Sequence, residues 1–107
     1  HPITGAQRFH SGIDIGGDYG DPIYAAQAGT VEYAGWISGY GNAVIINHGG
    51  GISTLYGHCQ SVEVSTGENV AQGDLIALCG STGNSTGPHC HFEVRVNGEP
   101  VNPLSYL

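Results

Sequence analysis

Glycine interrupts this chain too often for any segment to form a long amphipathic helix. Nineteen of its 107 residues are glycine, and each glycine inside a helix costs about 1 kcal/mol relative to alanine. Between the glycines lie short runs of β-branched and aromatic residues, at 30–36, 43–47, 52–58, 62–64, 75–79 and 92–96. That composition belongs to strands. Clusters of Gly, Asn, Ser and Pro separate the runs and read as turns. An all-β chain of this length buries roughly 65% of its unfolded surface, enough for one core, so residues 1–107 are expected to form a single domain.

Two stretches, 22–31 and 67–76, are alike, and both resemble the turns of lipoyl-like and barrel-sandwich domains. The expected architecture is a small twisted antiparallel β-sandwich related to those folds. The chemistry of a lipoyl or biotinyl carrier is excluded, because the cofactor attaches to lysine and the chain has none.

Charge narrows the partners. Two arginines stand against nine acidic residues, a net charge of −7. With so few cations to meet phosphates, nucleic acid is not an expected partner. No apolar run approaches the 18 residues of a transmembrane helix. Neither an initiator Met nor a signal peptide is present, so the chain reads as a domain of a longer exported protein.

Chemistry concentrates in the histidines. His89-Cys90-His91 closes the glycine-rich loop 80–88 and opens the run Phe92-Glu93-Val94-Arg95-Val96. Side chains alternate along a strand, so His89 and His91 emerge on one face, about 7 Å apart. Cys90, Phe92, Val94 and Val96 make the opposite, core-forming face. Two neighbouring imidazoles each need a polar partner, and a shared metal supplies one. Near the N-terminus, His10-Ser-Gly-Ile-Asp14 has too much glycine for a helix. In an extended chain His10, Gly12 and Asp14 face one way, and Gly12 leaves room between the two polar groups. On its own the pair also fits a hydrogen-bonded His–Asp in a loop. Two histidines and a carboxylate are nevertheless the ligand set of a catalytic zinc with an open fourth position. In the run 52–58, Thr54, Tyr56 and His58 are expected on one face, adding a histidine able to move protons near neutral pH.

The motifs His10-x-x-x-Asp14, Tyr56-Gly-His58 and Gly87-Pro-His89-Cys-His91-Phe-Glu93, in that order, resemble those of lysostaphin-type zinc metallopeptidases. The resemblance runs from His1-Pro2 to about Pro103. It implies a zinc-dependent endopeptidase that hydrolyses peptide bonds of bacterial peptidoglycan, in the cross-bridge or the stem peptide, through a metal-bound water assisted by two histidines. Carried over by position, His10, Asp14 and His91 would bind one Zn2+ ion. His58 and His89 would be the non-ligand catalytic histidines, one taking the water's proton and the other hydrogen-bonding the developing oxyanion. Which does which is not readable from spacing. The implied setting is extracytoplasmic (secreted, cell wall or periplasm), of bacterial or phage origin, with wall-targeting domains elsewhere in the parent chain. Family members that lost ligands act as activators or scaffolds, and the complete set here argues against that role. Two further readings are weaker. A phosphohistidine carrier would not need Asp14 beside His10, and a structural zinc site would close with four protein ligands.

The remaining polar residues admit plainer readings. His48 is expected to be structural or solvated, and His1 irrelevant. Glu93 either orients a ligand imidazole or pairs with Arg95 at the surface. Tyr56 either contacts substrate or packs above His58. The loops 16–22, 35–42 and 80–88 are expected to wall a narrow groove, with Tyr19, Trp36 and Tyr40 as lining or packing residues. Cys59, Cys79 and Cys90 read as buried small apolar residues, with a Cys59–Cys79 bridge left open.

Overall fold

The computed structural model describes residues 13–16, 18–82 and 89–101, with the backbone alone at 13–16 and 89. Nine strands account for its regular structure: β1 (Ile13–Gly16), β2 (Pro22–Tyr24), β3 (Gly29–Ile37), β4 (Gly41–Gly49), β5 (Ile52–Val62), β6 (Asn69–Val70), β7 (Leu75–Cys79), β8 (His89–Val96) and β9 (Glu99–Val101). All pair antiparallel. Among the described residues no helix occurs, and hence none long and apolar enough to cross a membrane. The fold is all-β, a curled antiparallel sheet, as the sequence leads one to expect.

The sheet runs β1-β8-β5-β4-β3-β6, with β7 bridging β5 to β2 and β9 on the outer edge of β8. β5, the longest strand, organises it. One edge of β5 pairs with β4. The other edge is shared: β8 takes Ile52 to Gly57, and β7 takes Cys59 to Val62. His58 stands at the handover.

The core lies on one face of this sheet. Val31, Val44, Ile46, Tyr56, Cys59, Ile76, Ala77, Cys90, Phe92 and Val94 form one buried cluster, with the rings of Tyr56 and Phe92 5.4 Å apart. On β8 the expected alternation holds: Cys90, Phe92 and Val94 are buried together. The other face is covered too, at the level of Leu55 and Glu93. These cross-strand partners are both fully buried.

Three expectations need correction. Residues 62–64 are not a separate strand; β5 runs on through Val62 and stops, and Val64 reaches the core from the segment beyond. The segment 35–42 is less a loop than a hairpin, since only 38–40 lie between β3 and β4. Thr54, Tyr56 and His58 do not share a face, for the reason developed below. The cysteine reading stands: all three are buried, and none is bridged by a disulfide.

Candidate functional site

β8 places His91 between two strands. Its cross-strand partner on one side is Asp14 of β1, and on the other Gly57 of β5. Residues at directly opposed positions of an antiparallel pair stand about 5 Å apart at Cα. Two residues earlier in β8, His89 pairs with Gly16. His10 lies outside the described residues.

The His91 ring is locked from behind. Its Nε2–H donates to Glu93 Oε2 at 2.9 Å. The same oxygen accepts the Tyr40 hydroxyl at 2.5 Å, and Oε1 accepts Arg95 Nε–H at 2.8 Å. Burial pushes the Glu93 carboxyl up, but the hydrogen bonds from His91, Tyr40 and Arg95, with the arginine's charge, outweigh it and bring the pKa down to about 2. Glu93 is therefore a carboxylate that only accepts. His91 must carry its proton on Nε2, which leaves the lone pair of the neutral ring on Nδ1. The alternatives for Glu93 are thus joined: it orients His91 and pairs with Arg95, and it does so fully buried rather than at the surface.

His58 reaches the same region by another route. Between the pairs Val44↔Tyr56 and Asn42↔Cys59, one residue of β4, Ala43, faces two of β5, Gly57 and His58. This is a β-bulge, the device that re-aims a side chain within a strand. His58 takes φ 60°, a left-handed conformation rare for a residue with a Cβ. The extra residue shifts the phase of alternation, so Tyr56 and Cys59, three apart, both enter the core. His58 turns instead toward His91, with ring centroids 6.0 Å apart. Its backbone N–H donates to Tyr40 O at 2.6 Å, and its Nδ1–H donates to Thr82 O at 2.7 Å. The Thr82 hydroxyl in turn donates to Cys59 O at 2.6 Å. Held so, the neutral imidazole carries its lone pair on Nε2, the basic atom.

The structure also sorts the minor candidates. Tyr56 is a packing residue, 2% exposed, whose hydroxyl accepts the Ala26 N–H and the Thr54 hydroxyl. His48 is structural: Nδ1 meets Ala28 O and Nε2 meets Thr54 Oγ1, both at 2.8 Å. Tyr19 and Trp36 are exposed rather than packed into the core. Thr82 and the inward contacts of Tyr40 are what the sequence did not reveal. Both residues accept from His58 through a backbone carbonyl, which no residue type advertises, and the reach of the Tyr40 hydroxyl to Glu93 is a tertiary contact. Only the glycines flanking Tyr40, with φ 87° at Gly39 and 70° at Gly41, signal a chain forced to turn there.

Among the described residues no three His, Cys, Asp or Glu side chains group to hold a metal. The proposed donor set draws on His10, Asp14 and His91, and its chemistry fits zinc. Asp14 is the cross-strand backbone partner of His91, and the outer nitrogen of the His91 ring is tied to a buried carboxylate, the usual orientation for a zinc-binding histidine.

Comparison with known proteins identifies the family. Residues 8–103 match peptidase family M23. The chain is 48% identical to the DD-carboxypeptidase/endopeptidase Mpg of Neisseria meningitidis across 98% of its own length and 24% of that protein's. In fold it superposes on the catalytic domain of the antimicrobial peptidase lysostaphin from Staphylococcus simulans with a TM-score of 0.86 at 32% identity, covering 99% of this chain and 83% of that one. A zinc-containing peptidase from Vibrio cholerae gives 0.83 at 40% identity, over 94% of this chain and 31% of the other. The chain spans about a quarter of the length of the Neisseria relative.

Proposed function

The chain belongs to peptidase family M23, and from that premise we propose that residues 1–107 are the zinc-dependent catalytic domain of an extracytoplasmic enzyme that hydrolyses peptide bonds of bacterial peptidoglycan, in the cross-bridge or the stem peptide. The observation that carries the reading is the pair of imidazoles fixed in opposite senses. Glu93 leaves the lone pair of His91 on Nδ1, and the Thr82 carbonyl leaves that of His58 on Nε2. One ring is prepared to hold an ion opposite Asp14; the other is prepared to move a proton. The parent protein is proposed to be longer, of bacterial or phage origin, with wall-targeting parts outside this chain. The chain's share of its relatives' length supports that proposal.

In the proposed mechanism His10, Asp14 and His91 hold one zinc ion. When bound, zinc supplies the Lewis acidity that brings a water's pKa near 7 and polarises the scissile carbonyl. The chain's own residues do the rest. Glu93 keeps His91 in its ligand tautomer. His58 Nε2 stands ready to accept a proton and return it to the leaving amine, while the carbonyl of Thr82 stabilises the imidazolium formed between those events. His89 serves as the second non-ligand histidine, as a hydrogen-bond donor to the oxyanion, and the two roles exchange if His89 is the base.

The test is mass spectrometry of cross-linked peptidoglycan after incubation with the zinc-loaded protein, alongside a chelated control. New amino termini that vanish with chelator are expected, and the terminal residue names the bond. No release from walls of several cross-bridge chemistries would refute the proposal.

A further inference from the structure

We infer that Tyr40 is a positioning residue that sets both imidazoles of the site at once: its hydroxyl fixes His91 through Glu93, and its backbone carbonyl holds the bulge that turns His58 inward. The inference rests on the proposed roles of His91 and His58. Tyr40 contacts both strands that carry them. Its hydroxyl donates to Glu93 Oε2, the oxygen that also receives His91 Nε2–H. Its carbonyl accepts the His58 backbone N–H at 2.6 Å. Its ring lies 5.4 Å from the His91 ring, tilted by 38°. That ring also lies over Gly57, where a Cβ would come within 3.3 Å of Tyr40 Cδ1.

The local chain explains how one residue reaches all of these. Gly39 and Gly41 flank it with positive φ, and its N–H closes a turn onto Ile37 O at 3.0 Å. Carbonyl and side chain are thereby both presented to β5. Gly57 lacks a side chain, so the Tyr40 ring passes over it and the hydroxyl reaches the carboxylate behind His91. With two donors on one oxygen and Arg95 on the other, Glu93 cannot rotate. Without the hydroxyl, Oε2 keeps only His91 as a donor among these, and the carboxylate is freer to turn.

Tyr40→Phe isolates the hydroxyl, because the ring over Gly57 and the carbonyl to His58 stay. Outer-shell partners of metal ligands are worth roughly 10–100-fold in affinity or activity. The zinc dissociation constant, measured by competition with a chromophoric chelator, is expected to rise about 10-fold or more, and kcat to fall with KM nearly unchanged. In a Glu93→Gln background the same change is expected to add little, since the two act through one oxygen. A folded Tyr40→Phe protein with wild-type zinc affinity overturns the inference, as does full additivity with Glu93→Gln. A second readout needs no variant. In the wild-type apo protein, imidazole NMR is expected to show His91 protonated on Nε2, with a nuclear Overhauser contact between that proton and the Tyr40 hydroxyl. Its absence also overturns the inference. Wild-type protein that binds no zinc while showing this contact would refute the proposed function and leave the positioning geometry established.

Discussion

β8 and the middle of β5 carry the two imidazoles by opposite means. β8 is regular from Cys90 to Val94: odd positions face one side, even positions enter the core, and His91 follows from counting. β5 breaks the count at Gly57–His58, where a bulge and a left-handed residue turn His58 out of phase. The difference suits the roles proposed for them. A metal ligand needs a direction, which a strand supplies with one hydrogen bond behind the ring. A proton carrier beside it must approach from a neighbouring strand without displacing the ligand. A regular β5 would aim His58 into the core beside Tyr56, and the bulge prevents that.

The sharpest way to break this comparison is to remove each ring. His91→Ala is expected to abolish zinc binding and activity together, by more than the 10–100-fold that an outer-shell partner is worth. Metal content and turnover on peptidoglycan, measured on the same preparation, report both. His58→Ala is expected to keep its zinc and lose about 100-fold or more in rate, the usual scale for a general acid–base group. The same outcome is expected for His89→Ala. A His58→Ala protein that loses zinc would make His58 a ligand and erase the distinction between the two strands.

A subtler change tests the bulge while leaving both imidazoles in place. Gly57→Ala puts a Cβ 3.3 Å from Tyr40 Cδ1 and 3.4 Å from Tyr40 Cβ, so the ring must give by a few tenths of an ångström. A 1 Å misplacement in a catalytic site costs about 100-fold. This smaller shift is expected to cost roughly tenfold or less in kcat, with zinc retained. Gly80→Ala is more severe. Its Cβ would fall 2.7 Å from Gln60 Cα, and closer still to Gln60 N, where backbone must move. Overpacking of this kind costs about 1–3 kcal/mol or more, and the shift would carry Thr82 away from His58 Nδ1. Thermal unfolding and kcat are expected to fall together in Gly80→Ala, but kcat alone in Gly57→Ala.

How much of this was legible in the sequence follows the same division. The strands at 43–47, 75–79 and 92–96 were readable because β-branched residues and glycine punctuation mark them directly. The core face of β8 was readable because alternation is strict there. The face of His58 was misread, since a bulge is a register relation between two strands, and Gly57-His58 does not announce that Ala43 will face both. The short strands β2, β6 and β9 escaped because two or three residues carry no periodicity. The zinc-ligand assignment came from motif order. The structure adds the backbone relation of Asp14 to His91 and the orientation of one ring, with His10 outside the described residues.

The phase shift also predicts the behaviour of Cys59. On a regular β5 it would share a face with Gly57 and His91, outside the core. In the bulged strand it enters the core, fully buried, and burial, then the neighbouring Cys79 thiol, push its pKa up to about 12. Below pH 9 the thiol is protonated in both folded and unfolded chains, and its contribution does not vary. Between about 9 and 12 the unfolded chain loses this proton and the folded one keeps it. The unfolded state then binds fewer protons, so stability falls as pH rises, by at most about 1.4 kcal/mol per pH unit from this group. In Cys59→Ser that component is expected to vanish, leaving the smaller fall from Cys79 and, from about pH 10, that from Tyr56, both of whose pKa values burial also raises. Denaturant midpoints at pH 8, 9 and 10 for the two proteins measure it. The same loss of stability in both, together with rapid alkylation of Cys59 at pH 9, would place the thiol on the groove side and remove the bulge from the account of His58.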